Sequence, residues 1–466
     1  MKSDVILIGT GQAAVPLATR LASSGRRVLI AERGVPGGTC VNVGCTPTKT
    51  LIASARAAHV ARTAARLGVH AREVTVDFAA VMARKDAVVA RWRAGVERRL
   101  NGGGDNLRFV RGHARFVAPG TVEIAPSASA GGLPRPERYE AQHIVINVGA
   151  RSRVPAIAGL AEVPYLDSAG VLGLRALPRH LLVLGSGYIG CELGQLMRRL
   201  GAAVTIVAPS ERLLPREDPD VSEALAGVFR GEAITLALGT KVERVARDGE
   251  DVVLTLAGGA ILRGSHLLVA TGRRPNTDDL GCAHAGIALT EEGFIEVDER
   301  YETSARGTFA VGDCTPGPEF THVSWDDHRV LFQLLSGRTP RARSARLVPY
   351  TVFSDPQVAG VGLSEGEARA QGIAVEVATM PFGNIARAVE TDETAGVVKV
   401  LIDPATDRIL GARIVGVDAG ELIHVFSVLM QAKASARAIV DGEFVHPTFA
   451  EGLQTAVMKL PRYALS

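Results

Sequence analysis

Two cysteines five positions apart, Cys40 and Cys45, have the residue type and spacing that could support thiol and disulfide chemistry. On a regular helix they would lie too far apart to bridge, because a disulfide needs Cα atoms about 5.5 Å apart. A bonded pair therefore needs a turn, which Gly44 and Pro47 can provide. A thiolate at Cys45 would then lie near a helix N-terminus, where its pKa falls and its reactivity rises.

The small number of cysteines argues against a structural disulfide framework or a zinc site at Cys40 and Cys45. Five in 466 residues cannot form a structural disulfide framework, and in a reducing compartment a close pair is more often catalytic or metal-binding. Zinc would need two further ligands. The remaining thiols, which have no histidine at metal spacing, are Cys191, Cys282 and Cys314. We predict no bound metal and expect these three to behave as small buried hydrophobic residues.

Length and charge narrow the class of protein. A chain of 466 residues is long enough for about two to four domains. Its 52 basic and 49 acidic residues give a net charge of +3 without a basic block, so we expect no nucleic-acid partner. No apolar run reaches the ~18 residues of a membrane span, and the N-terminal apolar stretch is shorter than a signal peptide. We expect a cytoplasmic protein without membrane association.

The pattern around Gly9 predicts a dinucleotide-binding unit. Its elements are a strand over 5–8, a helix over 13–23 and a strand over 28–31. In the motif Gly9-x-Gly11-x-x-Ala14, the first glycine permits a tight turn and the second lets the backbone approach a pyrophosphate. Ala14 is small enough to pack helix against strand. Glu32 lies 32 − 9 = 23 positions after the first glycine, where a carboxylate can bind ribose hydroxyls.

The same pattern recurs once. Its elements are a strand over 181–184, the glycines Gly185, Gly187 and Gly190, a helix that ends at Leu200, and a strand over 204–207. Position 185 + 23 = 208 is alanine, so the ribose-binding carboxylate is missing. A carboxylate there would repel a 2′-phosphate, whereas Ser210 and Arg212 could donate hydrogen bonds to one, so we predict NADPH rather than NADH. The alternative is that Arg212 is a solvated loop residue.

After about residue 346 the sequence no longer follows the pattern of strand, glycine turn, helix and strand. Strands over 396–402 and 409–415 and a helix over 420–438 indicate an α+β domain. Glycine and proline mark the stretch 126–136 as a loop. The predicted fold class is therefore α/β, with two Rossmann-like dinucleotide-binding domains followed by an α+β C-terminal domain.

Six motifs, in this order, resemble the class I pyridine nucleotide-disulfide oxidoreductases, a family that includes glutathione reductase, dihydrolipoyl dehydrogenase and mercuric reductase. They are Gly9-x-Gly11-x-x-Ala14, Gly38-Thr39-Cys40 to Cys45-x-Pro47-x-Lys49, Gly185-x-Gly187-x-x-Gly190-x-Glu192, Ala270 to Asn276, Phe309 to Asp313, and His446-Pro447-Thr448-x-x-Glu451. The resemblance covers nearly the whole chain and implies that the first unit binds FAD and the second the nicotinamide cofactor. It implies an FAD-binding domain over 1–150 and 273–345, an NAD(P)-binding domain over 151–272 and a dimerisation domain over 346–466.

The resemblance also implies roles at the redox centre. Electrons would pass from NADPH through the flavin to the disulfide, leaving Cys45 as a thiolate against the ring and Cys40 as the outward nucleophile. Lys49 and Glu192 resemble an ion pair beside flavin N5, and Tyr188 resembles the gate over the nicotinamide pocket. The alternative for Glu192 is a solvated helix carboxylate.

Further residues are assigned to the cofactors by the same resemblance. Gly312 and Asp313 are similar to the segment that holds the ribityl chain, and Thr321 and His322 would start the helix that points at the pyrimidine ring. The alternative for Asp313 is a turn residue. The remaining predicted cofactor-binding positions are Gly38, Thr39, Gly44, Ala114, Gly149 and Gly272.

His446 is the predicted general acid and base, because thiol exchange needs a proton source that titrates near neutrality. Glu451 would orient its ring. In the family this histidine reaches the cysteines of the other subunit, which implies a homodimer with two composite sites. The other ten histidines are expected to be structural or surface residues.

Three stretches are most similar to mercuric reductase and its relatives: 46–50, 216–219 and 419–423. The mercuric enzymes carry a vicinal cysteine pair at the C-terminus, whereas this chain ends in Met458-Lys-Leu-Pro-Arg-Tyr-Ala-Leu-Ser466. The implied acceptor is thus a small disulfide, oxidised thiol or metal ion. Dihydrolipoyl dehydrogenase or glutathione reductase activity is the alternative. From other classes, a flavin oxidase or quinone reductase without disulfide chemistry and a redox-responsive subunit stay open.

Overall fold

The computed structural model describes residues 2–126 and 135–463, which form two compact units. The described residues of the first unit lie within 2–50, 82–153 and 272–346, and those of the second within 51–81, 154–271 and 347–463. The division into FAD-binding, NAD(P)-binding and dimerisation segments stays a prediction.

Strands and α-helices occur throughout the described residues. The strands are β1 (Lys2–Ile8), β2 (Val28–Glu32), β3 (Leu107–Ala118), β4 (Thr121–Pro126), β5 (Glu137–Ile146), β6 (Ala150–Ser152), β7 (His180–Leu184), β8 (Ala203–Ala208), β9 (Thr235–Leu238), β10 (Val242–Asp248), β11 (Asp251–Leu256), β12 (Ile261–Gly264), β13 (His266–Val269), β14 (Arg273–Pro275), β15 (Thr308–Ala310), β16 (Tyr350–Val352), β17 (Gln357–Gly362), β18 (Glu376–Pro381), β19 (Val397–Ile402) and β20 (Ile409–Gly416). The helices are α1 (Ala14–Ser23), α2 (Gly38–Val43), α3 (Cys45–Thr63), α4 (Phe78–Asn101), α5 (Ser168–Val171), α6 (Tyr188–Leu200), α7 (Pro219–Gly231), α8 (Cys282–Ala285), α9 (Thr321–Leu335), α10 (Glu365–Ala370), α11 (Ala386–Glu390), α12 (Ala419–Gln431), α13 (Arg437–Val440) and α14 (Glu451–Met458).

Strand β1 lies inside the main sheet of the first unit. It pairs in parallel with β2 and β5, and β3 and β15 continue the parallel pairing beyond them. Strand β4 pairs antiparallel with β3 and β5. Val5 and Leu7 pack in the same core as α1, whereas Ile6 and Ile8 pack into a second core on the other face. Burial of both faces explains why the second half of this strand, residues 5–8, is a continuous apolar run.

The second glycine pattern also forms the predicted strand, turn, helix and strand. Strands β7 and β8, joined by α6, lie at the centre of a four-stranded parallel sheet in the order β13-β7-β8-β9. A separate antiparallel sheet contains β10, β11 and β12. The carboxyl end of β7 leads directly into the glycine turn, which is where nucleotides bind in parallel sheets of this kind.

The C-terminal part of the second unit has the predicted α+β architecture. Its five-stranded antiparallel sheet has the order β16-β17-β20-β19-β18. Residues of α12 and α14 share one apolar core with β19 and β20. Strands β19 and β20 begin and end within one residue of the predicted bounds.

The single helix predicted over 420–438 is wrong beyond Gln431. Lys433 adopts φ 56°, and the Ala434 N–H donates to the Leu429 carbonyl oxygen at 2.9 Å. A left-handed residue with this backward hydrogen bond ends a helix. Neither glycine nor asparagine marks the stop, so the apolar pattern continued through it in the sequence. Helix α13 then begins as a separate element.

Candidate membrane spans and metal-binding clusters are both absent from the part of the chain that the structure describes. Within 2–126 and 135–463, no helix is long and apolar enough to cross a membrane. Within the same ranges, no group of three or more histidine, cysteine, aspartate or glutamate side chains could hold a metal ion. Most of the loop predicted over 126–136 lies outside the described residues.

Candidate active site

The first glycine turn, between β1 and α1, leaves no room for side chains. Gly9 has φ 96°, and a Cβ there would lie 2.4 Å from the Asn147 carbonyl oxygen. A Cβ at Gly11 would lie 2.5 Å from Asn147 Oδ1, which also accepts a hydrogen bond from the Ala14 N–H at 3.2 Å. The turn therefore presents backbone at the N-terminus of α1, an arrangement that suits a pyrophosphate.

Glu32 is fixed at the carboxyl end of β2. Its Oε2 accepts hydrogen bonds from the Thr10 N–H at 3.0 Å and the Thr10 hydroxyl at 2.6 Å. Its Oε1 accepts from the Gly34 N–H at 2.8 Å. A carboxylate has about four acceptor positions, so capacity for a ribose hydroxyl is left.

The segment after β15 is held by buried charges. Gly312 has φ 71°, and its N–H donates to Asp327 Oδ2 at 2.9 Å. Asp327 forms an ion pair of 2.5 Å with Arg346, and both side chains are buried. Burial raises the pKa of the next residue, Asp313, while the Arg273 guanidinium 3.4 Å away acts in the opposite direction. The Arg273 guanidinium thus orients the carboxylate of Asp313, which lies in a 3-10 turn with its side chain 22% exposed.

The two candidate redox cysteines lie on different helices. Cys40 is in α2, Cys45 is the first residue of α3, and Gly44 separates them with φ −134° and ψ −117°. A Cβ at Gly44 would lie 2.9 Å from the Thr39 carbonyl oxygen, so this position favours glycine. Pro47 lies in the first turn of α3 and not in the connection, so its predicted part in the turn is wrong. A proline is tolerated there because first-turn N–H groups need no helical acceptor.

Both cysteines are half-buried thiols with different surroundings. Cys45 Sγ lies 3.0 Å from the Thr321 hydroxyl, at the N-terminus of α9. The Cys45 sulfur, followed by burial, raises the pKa of Cys40 strongly, whereas Thr321 and the Lys49 ammonium act to lower it. The arrangement therefore favours a proton on Cys40, whereas Cys45 lies at a helix N-terminus beside a hydroxyl that can donate to its sulfur.

The second glycine turn has the same tight geometry. Gly185 has φ 122°, and a Cβ there would lie 2.4 Å from the Ala270 carbonyl oxygen. A Cβ at Gly190 would lie 2.2 Å from the Gly185 carbonyl oxygen. At Gly187, by contrast, a Cβ would meet only open space among the described residues. Gly187 directly precedes α6, so its backbone is accessible at a helix N-terminus.

Tyr188 and Glu192 both lie in the first two turns of α6. Glu192 is 5% exposed, and its Oε1 accepts a hydrogen bond from the Phe353 N–H at 2.8 Å. The alternative in which Glu192 is a solvated helix carboxylate is therefore wrong.

The loop after β8 carries Ser210 and Arg212. The Ser210 hydroxyl donates to the Arg212 carbonyl oxygen at 3.1 Å and accepts from the Arg212 N–H at 3.3 Å. The Arg212 side chain is exposed. The serine thus shapes a local turn, and the guanidinium is accessible to an anionic ligand.

His446 and Glu451 form a pair in the C-terminal part of the second unit. His446 Nδ1 lies 2.9 Å from Glu451 Oε2, and the imidazole is 71% exposed whereas the carboxylate is mostly buried. A buried carboxylate that holds Nδ1 orients the ring and leaves Nε2 for proton exchange.

The remaining predicted cofactor-binding residues are distributed over the first unit. Gly38, with φ 64°, packs against the first glycine turn, since its Cβ would lie 3.0 Å from the Gly11 Cα. Cβ atoms at Gly149 and Gly272 would meet open space within the described residues. The side chain of Ala114 is buried in the apolar core, so any contact that it makes with a cofactor is through its backbone.

Comparisons with known proteins give two family matches that together span most of the chain. Residues 3–327 match the pyridine nucleotide-disulphide oxidoreductase family, and residues 348–457 match its dimerisation domain. The chain belongs to this family.

Individual members of the family match over nearly their whole length. Mercuric reductase from Streptomyces lividans is 36% identical over 458 residues, which is 97% of this chain and 95% of that protein. The probable pyridine nucleotide-disulfide oxidoreductase RclA from Escherichia coli is 35% identical over 461 residues, 97% of this chain and 98% of that protein. The Cu(II) complex of RclA superposes with a TM-score of 0.89 at 34% identity and covers 99% of this chain and 100% of that one.

These matches confirm the predicted family and fold class, and they make the chain an oxidoreductase. Pyridine nucleotide-disulfide oxidoreductases use FAD and NAD(P)H. The dimerisation-domain match indicates a homodimer.

Three contacts in the first unit were not predicted from the sequence. Asn147 joins the first glycine turn to the segment before Gly312, since its Nδ2 donates to the Val311 carbonyl oxygen at 3.0 Å. Asp327 supports Gly312, and Thr321 contacts Cys45. A polar residue directly after the apolar strand β5 was the available signal for Asn147; nothing local marked Asp327.

We expect Asn147→Ala to weaken flavin binding and lower the free energy of unfolding by about 2 kcal/mol, because two buried backbone groups lose their hydrogen-bond partner. Flavin content after dialysis and denaturant unfolding measure the two effects. Asn101→Ala, at the exposed end of α4, is the matched control and should change neither. Unchanged flavin retention and stability in Asn147→Ala would contradict the role of this side chain.

We expect Thr321→Val to raise the pKa of the Cys45 thiol by about one unit, because a hydroxyl that donates to a thiolate favours the charged form. When the solution is acidified, the Cys45 thiolate of the variant would then be protonated at a higher pH than that of the parent protein. The readout is the midpoint of the long-wavelength thiolate–flavin absorption in the two-electron-reduced protein. Thr321→Ser keeps the hydroxyl and should retain the parental midpoint; a parental midpoint in Thr321→Val would refute the interaction.

Proposed function

We propose that the chain is an FAD-dependent NADPH oxidoreductase that passes two electrons through the Cys40–Cys45 disulfide to a disulfide, oxidised-thiol or metal-ion acceptor. The observation that carries this proposal is the unequal pair of thiols. Cys45 begins α3 and contacts Thr321, whereas the pKa of Cys40 is strongly raised. One thiol is thus suited to remain a thiolate and the other to carry a proton and exchange it.

The residues present fit an FAD group. The turn at Gly9 and Gly11 admits only backbone, Glu32 keeps acceptor capacity for a ribose, and Asp313 is oriented by Arg273. When bound, FAD would take an electron pair from the nicotinamide and deliver it to the cysteine disulfide. The chain's own part is to hold the cofactor and to control the charge and protons of the two thiols.

With the pair reduced, Cys40 would attack a sulfur of the acceptor disulfide after losing its proton. The acceptor S–S bond breaks, a mixed disulfide forms, and the first product thiolate takes a proton from Nε2 of His446. Cys45 then attacks the Cys40 sulfur of the mixed disulfide, which restores the Cys40–Cys45 disulfide and releases the second product as a thiolate that takes a proton from solvent. The acceptor thus gains two electrons from the cysteine pair and two protons, one from Cys40 through His446 and one from solvent.

The raised pKa of Cys40 makes a base necessary at this step, because a thiol is a poor nucleophile. His446 suits that task, since Glu451 holds Nδ1 and the ring is exposed. Its exposure supports an action on the cysteines of the partner subunit in a homodimer. The ion pair of Lys49 with Glu192 and the gating by Tyr188 stay predictions of the same mechanism.

We propose the chemical class of the electron acceptor rather than one compound. Mercuric reductases and RclA are both among the relatives, and RclA has been solved as a Cu(II) complex and is described as HOCl-induced. Soft metal ions and sulfur electrophiles are both suited to a reactive thiolate. A screen with Hg(II), Cu(II), glutathione disulfide, lipoamide and hypochlorite-oxidised thiols therefore tests the acceptor range, with dihydrolipoyl dehydrogenase or glutathione reductase activity as the alternative.

We expect NADPH to be consumed by disulfide reduction only when both cysteines are present. Cys40→Ser and Cys45→Ser should each lower turnover with a disulfide acceptor by at least about a thousandfold, as the loss of a nucleophile does. On anaerobic titration with NADPH, the parent should develop a long-wavelength thiolate–flavin band after two electrons. Cys40→Ser should show that band before any NADPH is added, because its Cys45 has no disulfide partner, and should lose it when NADPH reduces the flavin; Cys45→Ser should lack the band throughout.

Cys282→Ala is the matched control, because burial raises the pKa of this thiol to about 11 and it belongs to the apolar core. Full turnover of the Cys40→Ala/Cys45→Ala variant would instead support a flavin oxidase or quinone reductase. Negligible NADPH oxidation with every acceptor would support a redox-responsive subunit.

We expect Arg212→Ala to raise the KM for NADPH about tenfold and to leave the KM for NADH unchanged, because a guanidinium forms charge-assisted hydrogen bonds with a 2′-phosphate. Steady-state kinetics with both nucleotides measure this. Arg230→Ala, an exposed arginine paired with Glu223 on α7, is the control. A parent protein that prefers NADH would overturn the proposed nucleotide.

A further inference from the structure

The loop that carries Arg212 is attached at both ends. We define the 209–218 loop as the segment between β8 and α7. At its start, the Ser186 hydroxyl of the second glycine turn donates to the Arg212 carbonyl oxygen at 3.1 Å. The Leu214 N–H donates to the Ser186 carbonyl oxygen at 2.8 Å, and Leu214 has φ 47°, an unfavourable conformation for leucine. The loop shape is therefore imposed by its surroundings.

The other end of the loop is anchored by buried ion pairs. Glu217 Oε2 lies 3.2 Å from Arg413 Nε, and Glu217 Oε1 accepts a hydrogen bond from the Tyr350 hydroxyl. Asp218 Oδ2 lies 3.3 Å from Lys399 Nζ. The side chains of Lys399 and Arg413 are only 4% and 5% exposed. Consecutive acidic residues of the loop are thus each bound by a buried cation.

The two cations occupy paired positions in the C-terminal sheet. Lys399 on β19 and Arg413 on β20 are direct register partners. Lys399 also contacts Asp220 at 2.7 Å and Glu365 at 3.1 Å. The Asp218 carboxylate accepts hydrogen bonds from backbone N–H groups at the start of α10 as well. The loop end therefore has one well-defined docking position on the sheet.

Stability alone does not account for such an arrangement. Buried ion pairs carry a large desolvation cost, and apolar replacements are often as stable or more stable. A buried ion pair does, however, fix register and orientation, because any other arrangement leaves a charge without a partner. Here the buried ion pairs fix the conformation of the 209–218 loop, which carries Ser210 and Arg212.

We propose that Lys399 and Arg413 are positioning residues for nucleotide binding, which hold the 209–218 loop in the conformation that presents Arg212 to the 2′-phosphate of NADPH. This inference rests on the proposed use of NADPH at that loop. It links the affinity for the nucleotide to a sheet in the C-terminal part of the chain.

The test is a double-mutant cycle on the FAD-loaded protein. Lys399→Met should raise the KM for NADPH about fivefold, as expected for losing one ordered charged contact, while turnover at saturating NADPH stays within about twofold. The KM for NADH should not change, because the loop end serves the 2′-phosphate. In the Arg212→Ala background, Lys399→Met should have no further effect, since the group that it positions is gone.

Two further variants separate positioning from a general loss of structure. Lys399→Arg keeps the charge and should retain most of the NADPH affinity, and exposed Lys459→Met is the control for removing a lysine charge. If Lys399→Met does not fold, Tyr350→Phe makes the same test, since it removes only the hydroxyl that Glu217 accepts from. It should raise the KM for NADPH about twofold and leave that for NADH unchanged.

The outcomes distinguish this inference from the proposed function. Equal increases for NADPH and NADH, or effects of Lys399→Met and Arg212→Ala that add, would overturn the positioning role. A parental KM for NADPH in Lys399→Met beside a raised one in Arg212→Ala would overturn it and leave the nucleotide assignment intact. A parental KM in Arg212→Ala would overturn the nucleotide assignment and, with it, this inference.

Discussion

A carbonyl oxygen at Thr39 lies 2.9 Å from the position that a Cβ at Gly44 would take, and this close approach determines the geometry of the thiol pair. Because the chain can pass there only as glycine, α2 ends and α3 begins at Cys45. The sulfur of Cys45 then meets both a helix N-terminus and the Thr321 hydroxyl, while Cys40 stays on the preceding helix. That one backbone break therefore gives two identical side chains different surroundings.

The sequence predicts well what depends on local backbone chemistry. Gly9 and Gly185 stand where φ is positive and where a neighbouring carbonyl would clash with any side chain, so their spacing reports the turn directly. The buried parts of β1 and β7, residues 5–8 and 181–184, are covered on both faces, which makes them continuous apolar runs. His446 and Glu451 are five positions apart and adjacent in space, and so the motif that contains them already describes the pair.

Contacts between distant segments could not be predicted in this way. Asn147 bonds to groups 133 and 164 positions away, and Lys399 meets Asp218 across 181 positions. A single asparagine after an apolar strand, or a single lysine within one, gives no indication of its partner, since many arrangements would satisfy it. The end of α12 was missed for a related reason: Lys433 takes a left-handed conformation without the glycine that usually announces one.

The exposure of His446 has a consequence for how the protein behaves on dilution. The imidazole is 71% exposed and is held by Glu451 through Nδ1, so residues 2–126 and 135–463 provide little around it that could direct a proton to a substrate. If a second copy supplies that environment, each folded chain holds an incomplete acid–base system. Specific activity would then depend on protein concentration and fall below the dissociation constant of the pair, although every chain remained folded and loaded with flavin.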